Sequence, residues 1–99
     1  MAEHPLKIFE KIDPELLKLA QNTSSFALAD GVLPRKFQFL IAMALDASLG
    51  AEEGVRSLAE QAIKAGASKE EVAETIRVTQ YICGVGCLYT ATHAFKDLF

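Results

Sequence analysis

Nowhere do lysines and arginines gather into a run or along one face, and thirteen acidic against ten basic side chains leave a net charge of −3. The electrostatic footprint of a nucleic-acid binder is missing, and nucleic acid is not an expected partner. A secretory signal is also missing: MAEHPLKIFEKIDPE carries charges throughout and has neither an apolar core nor a small-residue cleavage site. The expected location is the cytoplasm. Cysteine is scarce, with only Cys83 and Cys87, and thiols in that compartment rest reduced, so a permanent structural disulfide is not expected. No alternation of period two persists long enough to argue for a strand, and neither an internal repeat nor a low-complexity segment is present. Lys, Arg, Asp and Glu are absent from Val78 to Phe95, a run of 18 residues that touches the lower limit for crossing a bilayer. Thr79, Gln80, Thr90, Thr92, His93 and two glycines make it a poor span. Burial in protein is the expectation, with no membrane partner.

What the chain does have is apolar surface. A hydrophobic fraction of 51% in 99 residues is high for one small domain, and a monomer of this size buries a limited share of its surface. A homo-oligomer is expected. The dominant period is helical and its punctuation is clear. Asp13-Pro14-Glu15 sets an N-cap, a proline at the first helical position and an acid in the first turn, and Asp30-Gly31 stops the run. A second helix starts at Pro34 and is apolar on nearly every side from Phe37 to Leu49, which places it at the centre, and Gly50 ends it. The third, roughly Glu52 to Ala65, stripes Val55, Leu58, Ala59, Ala62 and Ile63 on one face and alternates Glu52, Arg56, Glu60 and Lys64 on another. Gly66 stops it. Ser68-Lys69-Glu70-Glu71 is a capping box opening a fourth helix, whose inner face is Val72, Ile76, Thr79 and Cys83. Gly84 and Gly86 interrupt before a last helix from about Cys87 toward Asp97. The fold class is all-α, a single helical domain of five to six helices.

The chemistry-bearing residues are few. Cys83 and Cys87 stand four apart in YICGVGCLY. An unbroken helix holds the Cβ atoms of such a pair beyond the roughly 3.5–4.5 Å a disulfide needs, but two intervening glycines permit a bend that closes the gap. Packing, a redox pair and metal ligation all stay open, packing being the commonest state of a free cysteine. For a metal, two thiols and His93 fall short of the four ligands of a structural zinc site. No metal and no cofactor are expected. Asp46 is the one charge in its apolar helix, facing a pocket, a subunit contact or water. Glu53 opens the third helix, where an acid complements the dipole. Tyr81 and Tyr89 flank the glycine break and can pack in a core or line a cavity. His93 is a packed or surface histidine, or a titrating group at a pocket.

Read as one block, LPRKFQFLIAMALDASLGAEEGVRSLAEQAIKAGASKEEVAETIRV resembles the carboxymuconolactone decarboxylase family, including its alkylhydroperoxidase D-like branch, over about Leu33 to Phe95. The telling order is a proline-led apolar helix ending in Leu-Gly, an Ala-rich helix ending in Lys-Ala-Gly-Ala-Ser, Glu-Glu-Val-Ala-Glu, and a glycine break before the last helix. The resemblance implies a helical protomer in rings of three or six copies, with decarboxylase or peroxiredoxin-type alkylhydroperoxidase activity. It also implies that the family's two cysteines fall at Ala51 and Gly54, its histidine at Leu58 and its glutamate near Phe39. None of these side chains transfers protons or attacks a peroxide. Three functions follow as expectations. The first is a ring binding a small apolar or aromatic acid, with Asp46, Glu53, Tyr81 and Tyr89 at the pocket. The second is a thiol-dependent peroxidase using Cys83, Cys87 and His93, and the third a partner-binding helical module without turnover.

Overall fold

In the computed structural model, residues 5–99 are described, and among them every regular element is helical. A short 3-10 turn (Pro5–Ile8) leads into α1 (Phe9–Ile12), followed by α2 (Pro14–Ala27), α3 (Arg35–Ser48), α4 (Glu52–Lys64), α5 (Lys69–Cys83) and α6 (Gly86–Phe95). The chain divides into two compact units, one ending at Asp30 and the other running from Gly31 to Phe99. Within the first, Asp13 caps α2 as its sequence position predicts: Oδ1 accepts from the Leu16 N–H at 3.0 Å, and Pro14 takes the first helical position.

The second unit is a four-helix arrangement in which α3 packs against α4, α5 and α6. Its turns are tight because the sequence closes each helix chemically. At the end of α4 the Ala67 N–H reaches the Ala62 carbonyl at 2.9 Å and the Gly66 N–H reaches that of Ile63 at 3.0 Å, with Gly66 at φ +105°. That crossed pair is a Schellman motif, and its left-handed residue favours glycine. The same two bonds close α3 at Gly50, from Ala51 to Asp46 and from Gly50 to Ala47. The capping box is complete at α5: the Glu71 N–H donates to Ser68 Oγ at 3.0 Å, while the Ser68 N–H donates to Glu71 Oε1 at 2.9 Å.

The core of this unit holds Phe39, Leu40, Met43 and Ala47 from α3, Val55, Ala59 and Ala62 from α4, Val72, Ile76 and Thr79 from α5, and Cys87, Ala91 and Ala94 from α6. Small residues on α4 and α6 let the helix axes come close. α3 differs from the expectation of burial all round. Phe37, Ile41, Leu45 and Leu49 remain exposed along one side of it. Apolar periodicity sets which faces avoid water, but three neighbouring helices cover only part of the circumference of a fourth.

Candidate functional site

Lys36, in the first turn of α3, meets Glu71, in the first turn of α5, so these two helices start at the same end and run alongside each other. The Lys36 ammonium lies 3.0 Å from Glu71 Oε2 and 3.3 Å from Oε1, and 5.2 Å from the centroid of the Phe37 ring. The Ser68 N–H and then the Lys36 ammonium, both donating to its oxygens, hold the Glu71 carboxyl below the usual carboxylate value. This clamp fixes the register of α3 against α5.

Between the two helices runs an open groove of about 680 Å³. One wall is the α3 ridge Phe37, Ile41 and Leu45, and the other is the α5 ridge Thr75, Val78 and Ile82. Spacings of four, and of three and four, stack each set along its own helix. Glu71 and Glu74 stand at one end, and Cys83, twelve residues on from Glu71, stands roughly 18 Å away at the other. The volume is that of a small-molecule site.

The hydroxyls in this lining give their hydrogens to their own helices. Ser48 Oγ donates to the Leu45 carbonyl at 2.6 Å, Thr75 Oγ1 to that of Glu71 at 2.8 Å, and Thr79 Oγ1 to that of Thr75 at 2.8 Å. Each keeps lone pairs but no free donor. The walls are therefore hydrocarbon with a few acceptors, and the carboxylates are confined to one end.

Of the residues singled out in the sequence, Cys83 alone lies on this groove. Cys83 is exposed at the last position of α5, whereas Cys87 is buried in the first turn of α6, and both are free thiols. Gly84 separates them at φ +86°, ψ −178°, a backbone conformation that is essentially glycine's. Burial pushes the Cys87 thiol up, and a neighbouring Cys83 thiolate pushes it further. His93 is exposed on α6, six residues beyond Cys87. Helical geometry puts it about 9 Å further along and about 240° round, so α6 does not aim it at that thiol. Tyr81 and Tyr89 are exposed at the α5–α6 joint, and Glu53 is exposed in the first turn of α4.

Asp46 stands at the α3–α4 turn. A Cβ added at Gly54 would lie 2.8 Å from Asp46 Cγ and closer still to its Oδ2, so the carboxylate occupies the space a side chain at 54 would need. Ala51 and Gly54, the positions the sequence resemblance assigns to the family cysteines, are the N-cap and a first-turn residue of α4, while Leu58 is half-buried on α4 and Phe39 is buried on α3. Among the described residues, no group of three or more His, Cys, Asp or Glu side chains is placed to hold a metal ion, and no helix is long and apolar enough to cross a membrane.

The groove was not visible as a site in the sequence analysis, although the sequence holds a signal for it. Phe37, Ile41 and Leu45 form a second apolar stripe beside the core stripe of α3, and Val78 and Ile82 do the same on α5. A helix with two apolar stripes and covering for one is the signal that points to such a groove.

The family model described as "Carboxymuconolactone decarboxylase family" matches residues 14–97. Among solved structures, the fold is similar to a carboxymuconolactone decarboxylase family protein from Legionella pneumophila, crystallised in its apo form. The TM-score is 0.83 and the identity 31%, over 92% of this chain and 81% of that one. No curated protein matches the chain significantly.

Proposed function

The chain belongs to the carboxymuconolactone decarboxylase family, and from that membership we propose that it binds a small, largely apolar molecule in the groove between α3 and α5. The observation that carries the proposal is the pairing of two uncovered apolar ridges, Phe37-Ile41-Leu45 on α3 and Val78-Ile82 on α5, around about 680 Å³ of open space. A lone exposed leucine needs no explanation, but two facing ridges held in register by Lys36 and Glu71 favour a ligand.

Titration with 1-octanol, followed by methyl resonances of Ile41, Val78 and Ile82, tests this reading. The expected result is a saturable shift confined to groove residues, lost in Ala44→Phe, which fills the lining from a half-buried position on α3. Shifts scattered over the whole surface, or an Ala44→Phe variant that is folded and binds equally well, would sink it.

Assembly into a ring of three or six copies belongs to the same proposal. Its support is the hydrophobic fraction of 51%, high for one small domain, with large apolar side chains such as Leu49 and Tyr89 exposed outside the groove lining. Light scattering is expected to give a mass three or six times the 10.8 kDa of one chain, and a monomer mass at micromolar concentration would remove the ring.

A second reading has one observation in its favour: Cys83 and Cys87 lie close enough across Gly84 for the charge of one to act on the other. In that reading Cys83 attacks a hydroperoxide, giving a sulfenic acid and releasing water or an alcohol. The Cys87 thiol then displaces the sulfenic hydroxyl as a second water, leaving a disulfide.

A further inference from the structure

The polar atoms lining the groove are nearly all acceptors, and that restricts what the ligand's own polar end can be. The hydroxyl hydrogens of Ser48, Thr75 and Thr79 are committed to backbone carbonyls of their own helices. Glu71 and Glu74 are carboxylates at the α5 end of the lining. The cation at that end, Lys36, directs its ammonium at both oxygens of Glu71, so the pair is close to neutral. Among the described residues Glu74 forms no ion pair, and it sits one helical turn further along the same wall, exposed at the rim. Apart from the Cys83 thiol, a weak donor at the far end, no lining side chain among the described residues offers a free hydrogen.

A carboxylic acid would be poorly served here. Its charge needs donors, which the lining lacks, and it would approach an unneutralised carboxylate. The partial positive charge at the start of α5 would favour an anion, but Ser68 and Glu71 already occupy that end with a completed capping box. A group that brings its own hydrogens and a positive charge has the opposite fit. Resting on the reading of the groove as a small-molecule site, we infer that its ligand is an amphipathic amine: an apolar body along the α3 and α5 ridges, ending in a protonated nitrogen against Glu74.

The test uses three probes of one chain length, octylamine, 1-octanol and octanoate, titrated into the intact protein at neutral pH and low salt, and read by calorimetry and by Ile41 and Ile82 methyl shifts. Octylamine is expected to bind about fivefold more tightly than octanol, as one exposed ion pair supplies, with octanoate weakest. Glu74→Gln should bring the amine within about twofold of the alcohol and leave the alcohol unchanged. The amine advantage should also shrink between 20 and 200 mM salt, roughly, as the pair is screened. Octanoate binding as tightly as octylamine, or an amine advantage that survives Glu74→Gln, overturns the inference while octanol still binds and the groove reading stands. If octanol and octylamine both leave the groove resonances unmoved, the groove reading fails and the inference falls with it.

Discussion

Replacing Met43 by alanine lowers the stability of the fold by about 2–5 kcal/mol, the cost of emptying a fully buried site. Met43 is 0% exposed on the helix that packs against α4, α5 and α6, so the vacated volume is walled on several sides and cannot be refilled by one neighbour's shift. A chain of this length holds only about 5–15 kcal/mol in total, which makes the loss a large share of it. Ile41 lies two residues away on the same helix, is 50% exposed and lines the groove. Ile41→Ala should therefore cost about 1 kcal/mol or less, because much of its side chain is wet already. Urea unfolding of the two variants measures the contrast as a shift in midpoint at unchanged slope. Met43→Leu serves as a volume-conserving control, costing less than about 1.5 kcal/mol. Equal losses from Met43→Ala and Ile41→Ala would mean that the groove face of α3 is as covered as the core face, and the groove would then not exist in solution.

The contrast between these two residues marks what the sequence could convey. Local signals were legible because each acts within a few residues. Asp13 ahead of Pro14, the Ser68 to Glu71 box and the glycines at 50 and 66 close their helices as their positions predict. The apolar character of α3 was legible too, but its covering was not, since the pattern cannot tell how many helices will pack against it. Lys36 and Glu71 are separated by 35 positions and meet only once α4 has turned the chain back. The fit of Asp46 over Gly54 likewise depends on the crossing of α3 and α4. A lone charge in an apolar helix left Asp46 facing a pocket, a subunit contact or water, and the structure places its carboxylate against Gly54 at the α3–α4 junction, outside the groove lining. In α5 the inner face predicted from Val72, Ile76 and Thr79 is buried, but Cys83, the next member of that stripe, is exposed because the helix ends there at Gly84.

That exposure carries the last prediction. With an aromatic disulfide reagent, the folded protein should titrate one thiol per chain promptly, and unfolding should reveal the second. Cys83 is open to solvent, whereas Cys87 is 2% exposed and its thiol is pushed up by burial and then by the nearby Cys83 charge. Since the thiolate is the attacking species, low access and a low thiolate fraction act together, and Cys87 should react at least about a hundredfold more slowly, through local opening. A pH dependence of stability follows with a definite sign. The folded state holds the Cys87 proton more tightly than the unfolded chain does. That contribution is fully present below the ordinary thiol value of about 8.5 and is lost as pH rises from there through the raised value. Cys87→Ala should remove that alkaline loss. Cys83→Ser should abolish the prompt reaction and leave the slow one. One equivalent of hydroperoxide separates the two readings of the pair. If Cys87 is packing, the oxidised protein still yields one thiol on unfolding, whereas a Cys83–Cys87 disulfide would remove both at once. Two prompt thiols in the native state would contradict the burial of Cys87 outright.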